Sequence, residues 1–210
     1  MTITQVQHEQ TLTSKNEENT ERLPPGQAPI KHLLRWGIDH PGISRSNPKI
    51  DLKTYTLEIG GEVEKPVKLS WNQVLELPRV ESTSDFHCVE GWSVLNCRWE
   101  GIQFKRIVEL VKPKQNAKFV TFLCADGYTT SLTLGELSGD DVLLAHRLNG
   151  EPLEEGTGFP LRLVIPSKYG YKSALWVVRI RFTVEKELGF WEKRGYSDSA
   201  DVWGNDRFSM

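Results

Sequence analysis

Apolar and polar positions alternate from Thr54 onward: Tyr55, Leu57 and Ile59 face one way, Thr54, Thr56 and Glu58 the other. That period of two predicts a half-buried strand, ended by Gly60-Gly61. Val67 to Leu69 begins a short strand, and Ser70 with Gln73 forms a capping box opening a helix that Pro78 stops. Arg79 to Phe86 reads as a strand, Cys97 to Ile102 as another with Gly101 as a turn, and Phe104 to Val111 as a short helix ended by Pro113. Phe119 to Ala125 and Tyr128 to Leu132 flank Asp126-Gly127, a strong hairpin signal. Thr133 and Glu136 form a second capping box over a helix of one or two turns. Val142 to Leu148 closes on Asn149-Gly150, and Leu161 to Ile165 and Trp176 to Val184 are β-branched strands. Many short strands, few short helices and no regular βαβ alternation predict a mixed α+β fold.

The flanks differ in pattern. Residues 1–29 are polar with almost nothing to bury, which predicts a disordered or wrapping N-terminal tail ahead of one domain over residues 30–210. Residues 30–50 mix Ile30, Leu33, Leu34, Trp36 and Ile38 with His32, Arg35, Asp39, His40 and Arg45, while Pro41, Gly42 and Pro48 forbid long regular structure. A long apolar loop of this kind inside a compact domain suggests function. Residues 185–210 carry Trp191, Tyr196 and Trp203 among charges and read as an irregular tail over the core.

Composition narrows the chemistry. A formal charge of −2 gives no reason to expect nucleic-acid binding. Three cysteines, without C-x-x-C or C-x-x-C-H, argue against a disulfide framework, a zinc ribbon or c-type haem attachment and for a reduced, cytoplasmic protein. No apolar run reaches the length of a membrane span and no export signal is visible.

Two stretches stand out. In Asp85-Phe86-His87-Cys88-Val89-Glu90-Gly91-Trp92-Ser93, a cysteine sits at a strand end with a carboxylate two residues on. A soft thiolate on a rigid element suits a soft metal or covalent chemistry, against the bland alternative of one more buried small hydrophobe. Between Gly156 and Val184 there is no Asp or Glu, yet Arg162, Lys168, Lys172, Arg179 and Arg181 all fall there, which predicts an anion pocket. An ordinary solvated loop is the alternative.

Cys88-Val89-Glu90-Gly91-Trp92-Ser93, followed by Gly158-Phe159-Pro160-Leu161-Arg162 and Pro166-Ser167-Lys168-Tyr169-Gly170-Tyr171-Lys172-Ser173, resembles the sulfite oxidase-like molybdopterin oxidoreductases. The likeness is to their heme-free, single-domain branch, typified by the methionine sulfoxide reductase catalytic subunit, over roughly residues 30–205. It implies a sulfite oxidase-type molybdopterin-binding domain and a molybdenum-molybdopterin cofactor, with Cys88 as the metal's protein ligand. It further implies phosphate binding by Arg162 and donors to the cofactor from Lys168, Tyr169, Gly170, Tyr171, Lys172 and Ser173. Glu90 and His87 would flank the metal, while His32, Leu34, Arg35, His40 and Cys124 are candidate cofactor contacts. The implied activity is two-electron oxygen-atom transfer on a small sulfoxide- or sulfite-type substrate, with an external electron carrier.

The chain also departs from that branch. Thr157 replaces a cofactor-contacting Asn, Leu175 a lysine and His87 an arginine, and the arginines that follow the cysteine in sulfite oxidases are missing. These departures motivate an alternative, a catalytically degenerate member acting as a cofactor- or partner-binding protein. A third reading is a redox protein that uses Cys88 directly.

Overall fold

Strand β2 (Thr56–Gly61) keeps the predicted alternation and buries Leu57 and Ile59. It belongs to a computed structural model that describes residues 23–43 and 47–209. The tail as far as residue 22, and Arg45, lie outside the described residues.

Strand β1 (Ala28–Pro29) precedes β2 in the chain, and β3 (Val67–Ser70) follows it. The Ser70–Gln73 capping box then opens helix α1 (Trp71–Glu76) as predicted. Next come β4 (Val80–His87), β5 (Trp92–Gln103) and helix α2 (Phe104–Val111). The Asp126-Gly127 turn joins β6 (Phe119–Cys124) to β7 (Thr129–Thr133). Both hydrogen bonds of the Thr133–Glu136 box form, but they open only one 3-10 turn, Glu136–Ser138. Strands β8 (Leu143–Leu148), β9 (Glu151–Pro152), β10 (Arg162–Val164) and β11 (Val177–Thr183) complete the chain order.

One sheet runs β3-β2-β11-β6-β7, with β11 parallel to β2 and antiparallel to β6. The other runs β1-β5-β8-β10, with β4 on β5 and β9 on β8. Leu57, Ile59, Phe122, Ile180 and Phe182 of the first sheet meet Ile102, Leu144 and Leu163 of the second. Helix α2 adds Phe104, Ile107 and Val111 to the same cluster, the Phe104 ring lying 5.6 Å from that of Phe122. A second cluster around Phe86, Cys97 and Trp99 holds Leu33 of the arm. Two core layers thus fix both ends of the β4–β5 hairpin.

Gly101 corrects the sequence reading. It is not a turn but lies inside β5, at a shift in the register with β8. A Cβ there would sit 2.2 Å from the Leu144 carbonyl oxygen, so glycine is needed for close strand approach.

Candidate functional site

Cys88 follows the last residue of β4, and the chain re-enters β5 at Trp92. The Cys88 N–H donates to the Trp92 carbonyl at 2.8 Å, and the Gly91 N–H to the Cys88 carbonyl at 3.1 Å. Gly91 takes φ of +100°, a conformation that favours glycine. The hairpin is therefore closed tightly, and Cys88 lines a cleft of about 390 Å³. Burial pushes the Cys88 thiol up to about 12.

Glu90 lines the same cleft, its Oε2 accepting from Cys88 Sγ at 3.9 Å. His40 reaches in from the arm, with Nε2 2.7 Å and 2.8 Å from the two Glu90 oxygens and Nδ1 2.9 Å from the Pro41 carbonyl. Trp92 Nε1 also donates to Glu90 Oε2, at 3.4 Å. The carboxylate is thus fixed by an arm that precedes it by fifty residues.

Of the predicted residues, the cleft brings together Cys88, Glu90, His40, Gly170, Tyr171 and Ser173. His87 is adjacent in sequence but is not among the lining residues: its Nδ1 lies 2.7 Å from Ser93 Oγ, and burial lowers its pKa. His32 is exposed, Leu34 half-buried, and Arg35 pairs with Asp39 at 2.8 Å. Cys124 is in the core at the turn end of the β6–β7 hairpin, its thiol raised well above the ordinary value by burial.

The acid-free loop finds its carboxylates elsewhere. Lys168 pairs with Glu136 at 2.9 Å, and fully buried Lys172 with Glu192 at 2.5 Å and Asp198 at 3.2 Å. Arg179 meets Glu58 at 2.6 Å, and Arg181 meets Glu187. Among the described residues Arg162 has no carboxylate. It is 2% exposed, lies against the neighbouring rings of Phe86 and Trp99, and donates to the carbonyls of Thr157 at 2.9 Å and Ser173 at 3.3 Å. Its Nε–H has no partner among the described residues, and burial pulls its pKa down to about 10. The Thr157 hydroxyl is engaged with the backbone of Glu154. Tyr169 is buried and its hydroxyl donates to Asn205 Oδ1.

Sequence reasoning did not place Trp36, Asp126, Tyr128, Phe190, Trp191 and Arg194 on the cleft wall. Asp126 was legible only as a turn residue. Burial raises its carboxyl above the ordinary range, although it accepts from the Tyr128 N–H. Arg194 stacks its guanidinium 3.6 Å from the Phe190 ring centroid and donates to the Phe190 carbonyl at 2.7 Å.

Among the described residues no helix is long and apolar enough to cross a membrane. The family model described as oxidoreductase molybdopterin binding domain matches residues 44–191. An uncharacterized oxidoreductase of Bacillus subtilis, YuiH, is 42% identical over 76% of this chain and 80% of its own. The protein-methionine-sulfoxide reductase catalytic subunit MsrP of Campylobacter jejuni is 34% identical over 70% of this chain and 54% of its own, so the chain spans about half of that relative. The crystal structure of the sulfane dehydrogenase SoxCD from Paracoccus pantotrophus shares the fold, with a TM-score of 0.64 at 23% identity over 71% of this chain and 42% of that one. The chain therefore belongs to the oxidoreductase molybdopterin-binding domain family and is an oxidoreductase.

Proposed function

We propose that the chain binds molybdenum-molybdopterin through Cys88 and performs two-electron oxygen-atom transfer on a small substrate, exchanging electrons with an external carrier. The observation that carries this reading is the setting of Cys88, just past the end of β4 on a cleft wall that it shares with Glu90, Gly170, Tyr171 and Ser173. A thiol pushed up to about 12 by burial is a poor nucleophile on its own. Burial is the largest influence on it, and a bound metal ion is what turns such a thiol into a thiolate. The same burial weighs against direct cysteine redox chemistry.

The surrounding residues fit the rest of the group. Arg162 does not line the cleft but donates to the carbonyl of Ser173, which does; it has no counter-ion among the described residues, and its unpartnered Nε–H is a donor that a phosphate oxygen would satisfy. Ser173 and the Gly170 backbone border the cleft. Lys168 and Lys172 direct their charge to Glu136 and Glu192, so they support the loop that presents Tyr169, Tyr171 and Ser173. Thr157 contributes through the carbonyl that orients Arg162. When bound, the group supplies oxo transfer and electron storage. Glu90, oriented by His40 and Trp92, holds a carboxylate at the wall that accepts or returns a proton at Oε2. The aromatic wall of Trp36, Phe190 and Trp191, with the Glu90 carboxylate beside it, suits a neutral sulfoxide better than the sulfite anion. The name of the Campylobacter relative points the same way. Three free cysteines fit the cytoplasm, a placement that cell fractionation tests.

Leu175, a cleft residue with no polar group to offer, favours the second reading of a catalytically silent member. Bound metal without turnover on any sulfoxide or sulfite would select it. The main test is molybdenum and extractable pterin per chain, in wild type and Cys88→Ser, from a host that makes the cofactor. About one metal per wild-type chain, with loss of metal in the variant, is the expected result. Well-folded wild type with neither metal nor pterin would overturn the reading.

A further inference from the structure

The Cys88 turn is a four-residue connection, and three of its carbonyls are held from outside the hairpin. Gln27 Nε2 donates to the Cys88 carbonyl at 3.1 Å. Arg207 Nη1 donates to the Val89 carbonyl. The Ala28 N–H donates to the Gly91 carbonyl at 2.8 Å. One holding segment lies about sixty residues upstream of the turn and the other about 120 downstream.

Arg207 also ties the two segments to each other. Its Nη2 donates to the Gly26 carbonyl at 3.0 Å and the Pro25 carbonyl at 3.3 Å. The guanidinium lies 5.3 Å from the Tyr169 ring centroid, and Asn205 Oδ1 accepts from Arg207 Nε at 2.8 Å. Asn205 Oδ1 also accepts from the Tyr169 hydroxyl, so the loop carrying Gly170 and Ser173 is joined to the same assembly. On the other side, Gln27 Oε1 accepts from Ser93 Oγ at 2.9 Å, and that oxygen lies 2.7 Å from His87 Nδ1.

Two contact points favour glycine, both at positive φ. At Gly26, with φ of +68°, a Cβ would lie 2.9 Å from Arg207 Nη2; at Gly91 it would lie 3.1 Å from the Gly26 carbonyl oxygen. The planar fork of Arg207 spans acceptors on the Cys88 turn and the upstream segment at once, which a lysine ammonium cannot reproduce.

We propose that Gln27 and Arg207 are positioning residues that clasp the Cys88 turn, holding its sulfur at the cleft wall and closing it to solvent. The importance of that sulfur rests on the proposed function, but the clasp itself is a property of the protein chain. Opening it frees the turn locally while the β4–β5 ladder and both cores stay intact.

The test is iodoacetamide labelling of the native full-length chain prepared without cofactor, with the labelled cysteine identified by peptide mass mapping. Buried Cys97 and Cys124 serve as internal controls. In Gln27→Ala, Arg207→Ala and Gly26→Ala, labelling of Cys88 should accelerate by about tenfold, the effect of losing one or two hydrogen bonds that hold a closed state. Labelling of Cys97 and Cys124 should change by less than about twofold, and Arg207→Lys should fall between wild type and Arg207→Ala. An unchanged Cys88 rate, or all three cysteines accelerating together, would overturn the clasp. Molybdenum and pterin are measured separately on wild type from a cofactor-producing host. Their absence would refute the proposed function and leave the labelling result, and the clasp it tests, unaffected.

Discussion

Lys172 and Arg162 are both buried cations, and they are stabilised differently. Lys172 donates to Glu192, Asp198 and the Ser131 carbonyl, joining the loop before β11 to the C-terminal segment. Lys172→Met would strand the Glu192 carboxylate, which is also almost fully buried, at a cost of about 3–5 kcal/mol. Combining it with Glu192→Gln removes the stranded charge and should recover a large part of that loss. Urea unfolding of the single and double variants checks this, and equal destabilisation in both would show that the charge is not the cause. Among the described residues Arg162 has carbonyls and aromatic faces but no carboxylate, so its charge is left without a counter-ion, as the proposed phosphate contact requires. Arg162→Lys keeps the charge and loses the fork. It should lower unfolding stability by about 1–3 kcal/mol and reduce retained pterin severalfold. Full pterin retention would rule Arg162 out as the proposed phosphate contact.

At the level of elements, what can be read from sequence is what is encoded locally. The Ser70–Gln73 box, the Phe104–Val111 helix and the Asp126-Gly127 hairpin each rest on residues within a few positions of one another, and each forms. The pattern predicts strand β5 from Cys97, but it begins at Trp92. Its first half breaks the alternation because Ser93 and Val94 are both buried, Ser93 satisfying its hydroxyl through Gln27 and His87. Asn96, at φ of +54° and donating its N–H to Asp85, adds a kink that no period-two pattern reports. The site is legible in the same uneven way. Cys88 and Glu90 share one short stretch, whereas His40, Gln27 and Arg207 reach it across the fold, two of them through backbone carbonyls. Gly101 provides the test of register. Gly101→Ala should separate β5 from β8 and cost about 1–3 kcal/mol or more, because the colliding atom is backbone and cannot rotate away. A variant as stable as wild type would mean that the strands can part without loss.

Across the whole molecule, burial of a histidine couples folding to acidity. His146 on β8 is 6% exposed, and its Nε2 lacks a hydrogen-bond partner among the described residues. It packs edge-on to Trp71, with Glu100 Oε1 4.0 Å away and Arg79 and Arg147 nearby. Burial lowers its pKa first, the two arginines add to that, and Glu100 opposes it. A native pKa below the ordinary value of about 6.5 means that the unfolded chain binds the proton more readily. The stability His146 permits is therefore present above about pH 6.5 and is lost progressively as pH falls toward its native pKa. Buried Asp126, raised rather than lowered, acts in the carboxylate range and with opposite sign, since its native form holds the proton longer. The two effects are separable, because one belongs to the histidine range and the other lies at lower pH. Urea midpoints measured between pH 7.5 and 5.5 should fall steadily in wild type, and His146→Gln should flatten that slope whatever it does to the midpoint at pH 7.5. An unflattened slope would assign the acid sensitivity to another group, with His87, the other buried histidine whose pKa is lowered, as the next to replace.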